Sequence, residues 1–154
     1  MKTRMSYAKS SPGLYEAMGN LDQFVQKSGL ESNLVLFVQL RASQINGCAY
    51  CLDMHSRDLR AAGEREQRLY ALDAWRESPW YSDRERAALE WTEAVTLVAG
   101  SRVPDAVYDE VRPHFSEKEL ACLTLAVAAI NAWNRLSIAA RLAPSSNEPA
   151  TVPT

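Results

Sequence analysis

Two cysteines and a histidine stand close together in the stretch QINGCAYCLDMHSRD, residues 44–58. Cys48 and Cys51 have the C-x-x-C spacing, and His55 follows four residues after the second cysteine. In a helix, positions three and four residues apart share a face, so the three side chains would form one stripe. Such a stripe can be a redox pair, part of a metal site, or buried packing.

The redox interpretation follows from the position of the pair at a helix start. The partial positive charge of a helix N-terminus favours a thiolate, which is the reactive form of cysteine. His55, one turn below Cys51, can take the thiol proton. After Cys51 attacks an oxidised substrate, Cys48 can convert the sulfenic acid into a disulfide. A second dithiol must then reduce that disulfide.

Two other interpretations remain open at this point. Free cysteines are among the most buried residues, so the pair can be packing alone. A zinc site would need a fourth ligand beside the three, either His114 or Cys122. The chain has no second closely spaced ligand pair, and Cys122 lies within an apolar helix, so zinc is disfavoured. His114 follows a proline at a helix end, where a surface or capping role is expected.

Length, charge and cysteine count limit the classes of protein to which this chain can belong. A chain of 154 residues fits one domain. Its 17 basic and 19 acidic residues give no electrostatic footprint for nucleic acid or an anionic membrane. The opening MKTRMSYAKSS lacks the apolar stretch expected of a signal peptide, and the apolar run 120–133 is shorter than the ~20 residues of a membrane span. With few cysteines, we expect a cytoplasmic protein.

The elements that must position the stripe are all predicted to be helices. Leu14, Met18, Leu21 and Val25 recur at steps of three and four and predict an inward face for the first helix. The predicted helices run from Ser11-Pro12 to Gly29, then over 31–45, 48–62, 64–76 and 82–100, then a short one from Pro104, and finally 117–141. We therefore predict an all-α, single-domain bundle of six to seven helices.

Two capping boxes and the apolar faces of the last helix add to this prediction. Ser82 with Glu85 and Ser116 with Glu119 predict the starts of two helices. The last helix is apolar on two faces, which predicts burial against a second subunit. We expect an N-terminal tail over 1–10, a helical domain over 11–142 and a disordered tail over 143–154, which contains three prolines.

The stretch RASQINGCAYCLDMH, residues 41–55, resembles the alkyl hydroperoxidase D-like branch of the carboxymuconolactone decarboxylase superfamily. Residues 74–96 and 123–141 are also similar to later helices of that group. The resemblance implies a helical domain that forms trimers or hexamers, with thiol-dependent peroxidase or disulfide reductase activity. It implies Cys51 as the attacking thiol, Cys48 as its partner and His55 in the proton relay. It implies no metal or organic cofactor, and an external dithiol as reductant.

The sequence departs from the family pattern at two positions. The family's relay glutamate, twelve residues before the first cysteine, is replaced by Leu36, which cannot move a proton. Glu90 and Glu93 are candidates to supply a carboxylate instead, although a surface position is favoured for both. Tyr50 stands where some members carry a histidine, and it is a poor base near pH 7. These departures favour slow turnover or a substrate other than an alkyl hydroperoxide.

The leading hypothesis is a thiol oxidoreductase that reduces hydroperoxides or protein disulfides through Cys51 and Cys48. A non-catalytic oligomeric redox sensor or scaffold is the alternative, because the relay carboxylate is missing. A decarboxylase or lactone-processing enzyme is disfavoured, since decarboxylase members of the superfamily lack the cysteine pair.

Overall fold

The computed structural model describes residues 2–144, and within that range the regular structure is entirely helical. Nine α-helices and two 3-10 turns occur among these residues. The α-helices are α1 (Tyr7–Ser10), α2 (Pro12–Gln26), α3 (Ser32–Asn46), α4 (Ala49–Ala61), α5 (Glu66–Tyr70), α6 (Asp83–Thr96), α7 (Val98–Ser101), α8 (Asp105–Val111) and α9 (Glu117–Ala140). The 3-10 turns are Leu72–Ala74 and Arg112–His114. The predicted all-α, single-domain class is confirmed, with six α-helices of seven residues or more.

Helices α3 and α9 form the centre of the bundle. Helix α3 packs against α4, α6 and α9, and α9 also packs against α2 and α6. The run Leu34–Val38, which alone could suggest a strand, lies inside α3, and Phe37 and Val38 are almost completely buried. Because α3 leads directly into α4, the packing of α3 also determines where the cysteine pair lies in the fold.

Both predicted capping boxes are present. In α6 the Ser82 hydroxyl accepts from the Glu85 N–H, and the Glu85 carboxylate accepts from the Ser82 N–H. Ser116 and Glu119 make the same reciprocal pair at the start of α9. Two otherwise unpaired N–H groups are satisfied at each helix start, which is why these two boundaries could be read from the sequence.

The prediction of one helix over 64–76 is wrong. The segment forms the short α5, followed by the 3-10 turn Leu72–Ala74. Its buried apolar residues, Leu69, Leu72 and Trp75, recur at intervals of three. A spacing of three matches the 3.0 residues per turn of a 3-10 helix, so this winding keeps all three side chains against the core.

The predicted inward face of α2 is also wrong at one position. Leu21 is 37% exposed, while Met18 and Val25 are buried. Asp22, the next residue, is half-buried and takes the inward place between them. Steps of three and four residues both keep to one helix face, so the apolar pattern could not decide between positions 21 and 22.

Two further details concern the helix predicted over 82–100 and the residues at the N-terminus. Helix α6 stops at Thr96 and α7 begins at Val98, so the helix predicted over 82–100 is divided. Within the predicted N-terminal tail, the Arg4 N–H donates to the Ala140 carbonyl at 2.9 Å. Residues 145–154, most of the predicted C-terminal tail, lie outside the described range.

Helix α9 is 24 residues long, and by length and composition alone it could cross a membrane. In this fold it is the central helix, and buried side chains occur on both of its predicted faces, including Leu123, Val127 and Ala129. The core helix of a folded domain passes the same length and composition test, so the pattern carries no membrane assignment.

Candidate active site

The chain reverses between α3 and α4, and this turn places the cysteine pair. Gly47 caps α3 in the left-handed conformation, with φ of 68°, which glycine adopts without steric cost. The Cys48 N–H donates to the Ser43 carbonyl at 3.0 Å. Cys48 is then the N-cap residue of α4. The Asn46-Gly47 pair therefore ends one helix and sets the first turn of the next.

Cys48 and Cys51 form a disulfide across this first turn, with their Cα atoms 5.4 Å apart. The Cys51 N–H donates to Cys48 Sγ at 3.4 Å, so Cys48 takes the place of a capping side chain. The positive end of the helix therefore acts on the Cys48 sulfur more directly than on Cys51. Each cysteine is only 1% exposed.

A network of side-chain hydrogen bonds holds the end of α3 against α9. The Asn46 amide donates to the side-chain oxygens of Asn131, at 3.0 Å, and Asn134, at 2.8 Å. The Asn134 amide donates to Ser43 Oγ at 3.0 Å. Asn134 and Ser43 are completely buried, and leaving such groups unpaired costs about 1–3 kcal/mol each. The network thus fixes the cysteine turn against the central helix.

Cys51 borders a cavity of about 230 Å³ that is lined by residues of α2, α3, α4 and α9. The wall is mainly aromatic and apolar, and it includes His55, Asp22 and Ser137. Its lining residues are Tyr15, Asp22, Gln39, Tyr50, Cys51, Met54, His55, Ile130, Trp133, Ser137 and Leu142. Cys48 is not among them. The sulfur of Cys51 lies 3.8 Å from Ser137 Oγ.

His55 is buried beside the same cavity and is 5% exposed. Among the described residues, neither ring nitrogen has a hydrogen-bond partner. The carboxylate oxygen Asp58 Oδ2 lies 3.8 Å from His55 Nδ1, which is beyond hydrogen-bond distance. Burial lowers the pKa of His55 to about 4, against a smaller opposing effect of Asp58. The imidazole is therefore neutral near pH 7, with one ring nitrogen free of a proton.

A second cavity of about 480 Å³ also borders His55. Asp22, Gln39, Met54 and His55 line both cavities. Leu36, at the position of the family glutamate, lines the larger one, as does Asp58. Position 36, where the family carries its glutamate, therefore shares this cavity with His55, but it presents an apolar side chain there.

The candidate carboxylates Glu90 and Glu93 lie elsewhere and line neither cavity. Glu93 accepts from Arg41 Nε at 2.9 Å, from the Trp75 indole at 2.8 Å and from Arg76 at 2.7 Å. Burial alone would raise the pKa of Glu93, but these hydrogen bonds outweigh it and hold the pKa below its usual value. Glu90 pairs with Arg76. The favoured surface role is wrong for Glu93, which anchors α3 to α6.

The remaining candidate zinc ligands are distant from the pair in the packing. Cys122 is buried in the cluster that contains Leu123 and Val127, while Cys48 and Cys51 belong to a different cluster with Ala42 and Ile130. His114 ends the second 3-10 turn. Within residues 2–144 no group of three His, Cys, Asp or Glu side chains is placed to hold a metal.

Sequence reasoning missed several residues that complete the site. Asp22 was overlooked because Leu21 satisfied the apolar pattern, and Trp133 because an aromatic residue in α9 reads as core. Asn134 and Ser137 carried a usable signal, since they stand three residues apart on a mostly apolar helix. A polar residue on a buried face needs a partner, and both of these have one.

Comparisons with known proteins agree with this architecture. The model of the carboxymuconolactone decarboxylase family matches residues 12–94. YdfG of Bacillus subtilis, described as uncharacterized, is 42% identical over 139 residues, which cover 90% of this chain and 95% of YdfG.

Two solved structures share the fold. A protein of unknown function from Agrobacterium tumefaciens, suggested to be the antioxidant defence protein AhpD, has a TM-score of 0.91 and 44% identity, covering 94% of this chain and 99% of its own. A peroxidase-related protein from Silicibacter has a TM-score of 0.76 at 21% identity, covering 85% and 70%, and supports the fold alone. The resemblance inferred from residues 41–55 is confirmed, and the chain belongs to the carboxymuconolactone decarboxylase family, with an AhpD-like structural homologue.

Proposed function

We propose that the protein is a thiol-dependent oxidoreductase that reduces hydroperoxides or disulfides. One observation carries the proposal: the Cys48–Cys51 disulfide presents Cys51 to a cavity that is also lined by a buried histidine without a hydrogen-bond partner among residues 2–144. Reactive thiols and perturbed titratable groups that meet in a cavity are typical of catalytic sites. The antioxidant role suggested for the Agrobacterium homologue supports the same chemistry.

In the oxidative half-reaction, the dithiol form of the protein meets a hydroperoxide. His55 accepts the proton of the Cys51 thiol, and the thiolate attacks the terminal oxygen of the hydroperoxide. The O–O bond breaks, Cys51 becomes a sulfenic acid, and the alkoxide leaves as an alcohol when it receives the proton held on His55. The Cys48 thiol then attacks the sulfenic sulfur, the disulfide forms and water is released.

In the reductive half-reaction, an external dithiol supplies two electrons. One of its thiolates attacks Cys51, which faces the cavity, and Cys48 leaves as a thiolate. The Cys51 N–H, which already donates to the Cys48 sulfur, stabilises that leaving group. The second thiol of the reductant then releases Cys51, so the reductant becomes a disulfide and both cysteines are thiols again.

The proposal includes the partners and setting expected from the sequence. A cytoplasmic dithiol system fits a pair that must be reduced in every cycle. A homo-oligomer, trimer or hexamer, fits the apolar side chains left at the surface, such as Phe24, 59% exposed, and Ile138, 45% exposed. Sedimentation velocity of the purified protein tests the assembly.

The activity assay follows consumption of cumene hydroperoxide with dithiothreitol or dihydrolipoamide as reductant. Cys51→Ser is expected to abolish turnover, and Cys48→Ser to permit oxidation of Cys51 without disulfide formation. Cys122→Ser is the matched control, because the third cysteine is buried in a different cluster and its loss should leave turnover intact.

The redox-sensor alternative is favoured by one observation, the apolar Leu36 in the cavity wall beside His55. A sensor would consume one equivalent of hydroperoxide per cysteine pair and then stop, even with excess dithiol. Sustained turnover that depends on Cys51 would exclude it. Turnover that survives Cys51→Ser would exclude the proposed enzyme.

A further inference from the structure

The cavity beside Cys51 has a definite size. Its volume of about 230 Å³ lies between the ~150 Å³ of a cavity that holds benzene and the ~300 Å³ where pockets for drug-sized ligands begin. It therefore has room for one substituted ring and is too small for a folded polypeptide segment.

The side chains that line this cavity favour contact with an aromatic ring. Tyr15 and Trp133 lie with their ring centroids 5.9 Å apart, and Tyr50 and Met54 also line the cavity. Aromatic side chains favour stacked and edge-to-face contacts with another ring, and the methionine thioether makes favourable contacts with ring edges. The apolar wall gives little reason for a strongly hydrated molecule to enter.

The carboxylates that line the two cavities make their walls negatively charged. Asp22 accepts a hydrogen bond from Trp133 Nε1 at 2.9 Å, which holds the carboxylate in the wall of both cavities. Among residues 2–144, Asp22 takes part in no ion pair that would compensate its charge, and neither cavity is lined by lysine or arginine. Asp58 adds a second carboxylate to the larger cavity. Burial raises the pKa of Asp22, and the Trp133 hydrogen bond opposes that rise.

We propose that this cavity binds uncharged substrates of about one substituted aromatic ring, and that the Asp22 carboxylate excludes anionic ones. This substrate class rests on the proposed thiol oxidoreductase function. At ~6 Å and an effective dielectric of ~20, repulsion between two negative charges lowers affinity by about a hundredfold. Asp22 is thus the specificity-determining residue of the cavity, and Trp133 positions it.

The first test does not depend on turnover. The reduced protein is alkylated with iodoacetamide, which is neutral, and with iodoacetate, which is anionic, and the rate at Cys51 is measured by mass spectrometry. Relative to a free thiol such as glutathione, Cys51 should disfavour iodoacetate at least tenfold. Asp22→Asn should remove most of that preference. Glu16→Gln is the matched control, because it removes one negative charge from the exposed side of α2 and should leave the preference unchanged.

The second test uses turnover. Cumene hydroperoxide and its 4-carboxylate analogue are compared by kcat/KM, and Asp22→Asn should raise the relative value for the carboxylate about tenfold or more. tert-Butyl hydroperoxide, which has no ring, should show a KM at least severalfold above that of cumene hydroperoxide. Together these results would establish both the ring site and the charge filter.

Several outcomes overturn the inference. It fails if the wild-type protein treats iodoacetate like the free thiol does, or if Asp22→Asn changes both alkylation rates by the same factor. It also fails if the hydroperoxides with and without a ring have equal KM values. Charge-selective alkylation without turnover of any hydroperoxide would instead reject the proposed peroxidase activity and leave the charge filter in place.

Discussion

The burial of His55 predicts a specific dependence of protein stability on pH. Its pKa is about 4 in the folded protein, against 6.5 for an unperturbed histidine. Above pH 6.5 the imidazole is neutral in both states and contributes no pH dependence. As the pH falls below 6.5 the unfolded chain binds a proton that the folded protein does not bind, so stability declines until the pH reaches about 4.

The size of this effect follows from the two pKa values. At pH 4.5 the histidine would be ~99% protonated in the unfolded chain and only about a quarter protonated in the folded protein. The resulting loss in the free energy of unfolding between pH 7.5 and pH 4.5 is about 2.5 kcal/mol. Domains typically have a free energy of unfolding of about 5–15 kcal/mol, so a loss of this size is large enough to measure.

The assay is urea unfolding of the disulfide form, followed by tryptophan fluorescence at several pH values from 7.5 to 4.5. Carboxylates also titrate in this range, so the informative quantity is the difference between variants. His55→Gln should lose about 2.5 kcal/mol less than the wild-type protein over the interval. His114→Gln, at the other histidine, is the control and should behave like the wild type. An equal loss for His55→Gln and wild type would refute the burial argument.

Four further outcomes are expected. Reduction of the disulfide should raise the pKa of His55 when the neighbouring thiol ionises, because a thiolate one turn away stabilises the imidazolium; titration of the ring protons by NMR measures this. Glu93→Gln should lower the free energy of unfolding by about 2 kcal/mol, since Arg41 is buried and loses a charged partner, and a urea midpoint that does not move would contradict it. Asn134→Ala should cost about 2 kcal/mol in the same measurement, because its two hydrogen-bond partners at the end of α3 are left short of a partner. Leu36→Glu should speed iodoacetamide labelling of the active thiol near pH 7 by returning a carboxylate to the cavity beside the histidine, and an unchanged rate would count against a relay at that position.

The sequence identified the turn that carries the cysteine pair, and most of the helices, because both depend on local rules. The Asn46-Gly47 break, the capping boxes and the stripe of Cys48, Cys51 and His55 all follow from the geometry of one or two helical turns. Local rules did not predict the structure correctly where two kinds of helical winding satisfy them equally well. The segment after Gly63 could be one α-helix or two shorter turns, and the packing of Leu72 and Trp75 selected the latter.

Which side chains complete the site was decided only by the packing of α2, α3 and α9 against α4. Asp22 and Ser137 are separated from the cysteines by many residues in the chain, yet they share a cavity with Cys51. Likewise, Leu36 lines a cavity together with His55, while Glu93 pairs with Arg41. The sequence by itself determined the positions of the cysteine pair and the histidine, since a single helix start holds them. The tertiary structure determined the size, wall and charge of the cavity, since these arise where distant helices meet and periodicity within one helix carries no information about its neighbours.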